Sequence, residues 1–179
     1  MLKKSILLIV FTAFFKIAYS QWSIGYVSGG ISHVTVPFDS LNDHIDSLYT
    51  SNGFSNISLT FSGIEWTSNP LDTDYFLFKY TLTDSNNNAF YVTTYIPIIL
   101  NTTNHFEEYS IFDKVTCIAA NCSSEECKKK GQNCTPPCAP KSDPVQPQPS
   151  CSRQVEGGGA GPIIGGLVSS LITWLLGKV

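Results

Sequence analysis

Cys117, Cys122, Cys127, Cys134, Cys138 and Cys151 fall within one short stretch, separated by four, four, six, three and twelve residues. An even number of cysteines at such spacings reads as three disulfides, with fifteen pairings open to the sequence. No C-x-x-C knuckle is present, so the set does not have the form of a zinc site and no metal is assigned. Once paired, none of these thiols can serve as a nucleophile.

Other reactive side chains are scattered. His33, His44 and His105 form no H-x-x-x-H pair or H-E-x-x-H motif, and there is no G-x-S-x-G elbow. Asp84-Ser85-Asn86-Asn87-Asn88 imitates the start of a calcium loop. Position six is Ala89 and position twelve is Tyr95, however, where that loop needs Gly and a bidentate Glu, so the run is read as a hairpin turn. Asp72, Asp74, Glu107 and Glu108 could act as general acid and base only if folding brought two of them to one cleft. They are read as solvated loop charges, with a small hydrolase using paired carboxylates as the alternative function. No catalytic residue and no cofactor is assigned. Lys128-Lys129-Lys130 is read as a solvated turn, or else as a docking patch for an anionic surface.

The compartment follows from the N-terminus. Met1-Leu2-Lys3-Lys4, the apolar run Ile6 to Phe15 and Ala18-Tyr19-Ser20 have the order of a signal peptide, residues 1–20, cleaved before Gln21. Export to the extracellular space or cell surface would expose the cysteines to an oxidising environment. Beyond that leader the 179-residue chain has eight basic and fourteen acidic residues, a net charge of −6, which disfavours nucleic acid as a partner. Asn56, Asn101, Asn121 and Asn133 begin N-x-[ST] sequons.

Two segments must position these groups. Residues 21–116 hold seventeen aromatics; residues 117–151 hold all six cysteines and no aromatic, so cross-links there must replace a core. In the first segment, Trp22 to Tyr26 and Ile31 to Val36 read as strands. Leu41, Ile45, Leu48 and Tyr49 have helical spacing over about 40–52, with Ser40-Leu41-Asn42-Asp43 as a capping box and Gly53 as its end. Ile57, Leu59 and Phe61 alternate with polar residues, as a half-wet strand does. Residues 74–98 read as a hairpin that Pro97 ends or places at an edge, and Ser110 to Ile118 as a last strand. The fold class is α+β, an antiparallel meander with one helix on a face, followed by the disulfide module; an all-β sandwich is the alternative. Tyr75, Tyr91 and Tyr95 share one face of the hairpin to within register; only one face can meet the helix, so this row, if exposed, is a candidate platform for a protein or carbohydrate ligand, the alternative being that another strand layer or the C-terminal helix covers it.

Lys114-Val115-Thr116-Cys117, Asn121-Cys122-Ser123-Ser124, Cys134-Thr135-Pro136-Pro137-Cys138 and Cys151-Ser152-Arg153 together resemble the ends of short exported proteins of Gram-negative bacteria. The resemblance covers about residues 112–153 plus the leader, implies a bacterial exported protein and brings no activity with it. Residues 152–179 read as a Gly-rich linker and an amphipathic helix from Pro162 to Leu176. Ile163, Leu167, Leu171 and Trp174 make its apolar ridge, suited to a membrane surface or to self-association. Fifteen helical residues reach about 22 Å, short of a bilayer. Ser150-Cys151-Ser152, a spacer and the apolar tail also have the form of a GPI signal, the eukaryotic alternative. The functional expectation is an exported, non-enzymatic binding or interaction module.

Overall fold

A computed structural model describes residues 23–66, 73–109, 113–122, 126–131, 133–135, 138–139, 141–142, 146, 148–155 and 170. Among these, the strands are β1 (Gly25–Ser28), β2 (Ile31–Val34), β3 (Ser55–Glu65), β4 (Asp74–Thr83), β5 (Ala89–Leu100), β6 (His105–Glu108), β7 (Val115–Ala120), β8 (Lys128–Lys130), β9 (Asn133–Thr135) and β10 (Ser150–Val155). Helix α1 (Phe38–Thr50) joins β2 to β3.

The hairpin β4–β5 is the spine of the sheet. Asp84 closes it as an Asx turn: its Oδ1 accepts from the amides of Asn86 and Asn88, and its Oδ2 from Asn88 Nδ2, each at 2.8 Å. These hydrogen bonds, the Asn88 side chain first, hold the Asp84 carboxyl below its ordinary pKa. Asn87 takes the left-handed φ of 62° that the turn requires. The run is a turn, as its missing calcium-loop residues imply.

Along its far edge β5 is shared by two limbs. Phe90 to Tyr95 pair with β7, which pairs in turn with β10; Ile98 to Leu100 pair with β6, which leads to β1 and β2. Pro97 falls in the gap between these partners. Its lack of an N–H therefore leaves no ladder position empty on that edge, and β5 runs past it to Leu100 instead of ending there. On the near edge β4 pairs with β3, and β2 curls back beside β3, nearly closing the sheet. Gly25 makes that closure possible, because a Cβ there would meet the carbonyl of His33 and the side chain of Ile64.

The concave face holds the main core. Phe76, Phe78, Tyr80 and Leu82 of β4 and Val92, Ile96 and Ile98 of β5 pack against Leu41, Ile45 and Tyr49 of α1. The helix starts at Phe38, before the expected capping box, because Pro37 supplies the extended N-cap backbone; its cap makes no side-chain hydrogen bond. Asn42 instead turns outward to β3, where its Oδ1 accepts from the Leu59 amide at 2.9 Å. Gly53, with φ 86°, ends the helix as expected.

Strand β3 departs from strict alternation. Its register slips between Leu59 and Phe61, so Leu59 faces Tyr80 in the core while Phe61 faces Lys79 and is 43% exposed. The bulge carries Phe61 outward, where the Lys79 ammonium lies 5.8 Å from its ring centroid. The expectation that Ile57, Leu59 and Phe61 share one face thus fails at its last member.

At the centre of the core the Tyr49 and Tyr80 hydroxyls meet at 2.6 Å. Burial raises both pKa values above the ordinary tyrosine value, and for Tyr80 a Tyr49 phenolate would add repulsion. The folded protein therefore keeps protons that the unfolded chain releases above about pH 10, so their contribution is complete below that pH and lost as pH rises beyond it. Tyr49→Phe or Tyr80→Phe leaves the other hydroxyl buried and unpaired, at a cost of about 1–3 kcal/mol, whereas the double substitution removes both orphans and is closer to neutral. Urea unfolding of the four proteins at neutral and alkaline pH measures both effects, and the double variant should lose less stability in alkali.

Candidate functional site

The outer face of the hairpin carries Tyr75, Leu77, Tyr91 and Tyr95. It does not stand open. Tyr95 is 8% exposed, and Tyr75 and Tyr91 are partly buried against Leu77, Val115, Cys117, Ala119, Cys127 and Cys138. The cover is the cysteine module, which includes the β8–β9 ribbon. Lys129 of β8 lies across it: its Nζ donates to Tyr75 Oη at 2.7 Å, and its backbone amide donates to Tyr95 Oη at 3.2 Å. The middle residue of the lysine run is thus a docking contact, with Lys128 and Lys130 exposed on either side.

Each bridge runs between the sheet limb and this cover. Cys117 of β7 pairs with Cys134, Cys122 just beyond β7 with Cys138, and Cys151 of β10 with Cys127. The expected division at 116/117 therefore falls inside β7, and residues 152–155, expected as linker, belong to β10. Alternation decides this: Val115, Cys117 and Ala119 face the second core, while Thr116 and Ile118 face the first. The Thr116 hydroxyl is paired there with that of Thr94 at 3.1 Å.

The main core opens at the end of α1 into a cleft of about 740 Å³. The strand register builds its floor. Phe90, Ala120 and Ser150 form one row across β5, β7 and β10, and Ile118 and Ser152 follow in the next. Asn52, Gly53 and Phe54, just past the helix, make one wall, and Asp84, Ser85 and Asn86 of the hairpin turn make another. Phe54 and Phe90 meet edge to face, with centroids 6.2 Å apart and planes at 83°. Spacing along the chain could not reveal this cleft, because four separate segments meet there.

The remaining groups do not converge on it. Glu108 is paired with Lys114 at 2.6 Å, and Glu107 accepts the Asn101 side-chain amide. As neighbours on β6 the two glutamates point to opposite faces. Asp74 opens β4, and Asp72 lies outside the described residues. His33 and His105 do come together through the pairing of β2, β1 and β6, one on each side of the exposed Tyr26. Their ring centroids lie 4.9 and 6.1 Å from that of Tyr26. Among the described residues no group of three or more His, Cys, Asp or Glu is placed to hold a metal ion, and no helix is long and apolar enough to cross a membrane. The leader and the ridge of Ile163, Leu167, Leu171 and Trp174 lie outside the described residues.

With all six cysteines paired, the chain is suited to an oxidising compartment. The bridges also carry stability for the sheet itself, since two of them begin on its strands. Cysteine pairs 16 to 24 residues apart close loops worth about 3 kcal/mol each by chain entropy. Replacing Cys127 and Cys151 together by Ser should therefore lower the urea midpoint of the whole sheet and raise binding of an apolar dye to the Tyr75 and Tyr95 row. A module merely appended to the sheet would leave the midpoint unchanged.

Comparison with protein families, curated proteins and solved structures returns no match to this chain.

Proposed function

We propose that this chain is an exported, non-enzymatic binding module whose ligand sits in the cleft between the end of α1, the β4–β5 turn and the β7–β10 limb. The observation that carries the reading is the cleft's construction. An apolar floor continuous with the core is edged by neutral polar side chains, the usual make-up of a ligand seat, and its volume lies in the range of such sites. Among the described residues no histidine lines it, and the one carboxylate that does, Asp84, is committed to holding the turn. Binding therefore suits the cleft better than acid–base catalysis does. The leader-like N-terminus and the three bridges support an extracytoplasmic site of action.

Two measurements test this. Expressed from Met1 in a Gram-negative host, the protein should be recovered outside the cytoplasm, starting at Gln21 and lighter than the reduced chain by two hydrogens per bridge. The exported protein, labelled with 15N, is then screened by NMR against neutral disaccharides, short peptides and detergent micelles. At least one class should move the amide signals of Phe54, Asn86, Phe90 and Ser152. If none does, the cleft is not a ligand seat and the reading fails.

A further inference from the structure

We infer that the cleft takes the pyranose rings of an uncharged saccharide; this rests on the reading of the chain as a binding module and names the class of its ligand. The argument begins with charge. Among the described residues no lysine, arginine or histidine lines the cleft, and the Asp84 carboxylate already accepts three hydrogen bonds within its own turn. The helix ending at the cleft has no basic residue in its last turn, so no cation offsets the negative end of its dipole there. A phosphate, sulfate or carboxylate ligand would lose its hydration without gaining a counter-charge. Anionic ligands are thereby disfavoured.

The lining also selects against a wholly apolar guest. Ser85 and Asn86 on the turn and Ser152 on β10 offer neutral donors and acceptors around the apolar floor. The Asn86 and Ser85 side chains are not needed by the turn, which Asp84 and Asn88 hold together. A hydrocarbon chain would leave these groups without partners as it displaced their water. A pyranose ring meets both demands: its C–H face packs on an aromatic surface, where the partial positive hydrogens meet the negative ring face, and its hydroxyls reach outward to amides and hydroxyls. The right-angled corner of Phe54 and Phe90 provides such a surface beside the polar wall. The volume of about 740 Å³ accommodates more than one ring.

The test uses the full exported chain with its bridges intact. It is titrated by NMR with cellobiose, maltose, lactose and N,N′-diacetylchitobiose, and separately with a neutral hexapeptide, dodecyl maltoside micelles and glucose 6-phosphate. At least one neutral disaccharide should bind with a dissociation constant of about 10 mM or tighter and shift the signals of Phe54, Asn86, Phe90 and Ser152. Glucose 6-phosphate should bind more weakly than that disaccharide. Ser152→Trp fills the cleft and should weaken sugar binding at least about tenfold. Ser85→Ala with Asn86→Ala alters only exposed turn side chains and should weaken it while leaving the thermal midpoint unchanged, so the proposal stays falsifiable if the tryptophan variant misfolds. Peptide or micelle shifts at the cleft without sugar shifts would overturn the saccharide while leaving the binding module standing. Absence of shifts from every probe would overturn both, and sugar shifts indifferent to both variants would overturn the cleft as the sugar's site.

Discussion

The hairpin β4–β5 is apolar on both faces, and that constraint governs the rest of the structure. Phe76, Phe78, Tyr80 and Leu82 point one way, and Tyr75 and Leu77 point the other. Burying each large side chain is worth about 1.5–3 kcal/mol, so neither face can be left to water. The chain supplies two covers of different kinds. The concave face receives α1, whose own apolar stripe contributes to the core, while the outer face receives a module without a single aromatic residue, tied down by three covalent bridges.

Those two covers also determine where a ligand could reach the core. Helix α1 ends at Thr50, and Gly53 turns the chain away into β3, so beyond Phe54 the helix no longer roofs the concave face. The sheet continues under the gap because β7 and β10 extend it sideways from β5, with Ala120 and Ser150 level with Phe90. The cleft is therefore the place where the sheet outreaches its helix. The β6–β1–β2 limb, by contrast, ends in an exposed Tyr26 between two histidines.

What could be read in the sequence is what depends on neighbours along the chain. The helix, its Gly53 stop, the hairpin and its Asp84 turn all follow from short-range spacing, and each stands where that spacing puts it within a few residues. The helix start shifted because Pro37 competes with Ser40 as a cap, a choice between two valid local signals. Pairings between distant segments carry no such signal. β6 and β10 are four and six residues long with little alternation of their own, and they are strands only because β5 and β7 offer them an edge. For the same reason the outer tyrosines could be placed on one face from sequence, but not the module that covers them. The phase of Phe61 was hidden as well, since one slip in the register of β3 reverses every face after it.

The cysteine bridges and the cleft meet in β10. Alternation along this strand sends Cys151 to the outer face, where it is bonded to Cys127, and turns Ser150 and Ser152 to the inner face, where they edge the cleft. Among the described residues β10 pairs with one strand of the main sheet, β7, and an edge strand of six residues is weakly held by its ladder alone. The covalent tie at Cys151 therefore fixes the strand whose other face presents the two hydroxyls. In a reducing compartment that tie would be missing, and the polar wall would rest on six cross-strand pairs and no cross-link. The redox state of the cysteines thus bears on the site directly, and the wall of the cleft is best ordered where the bridges can form.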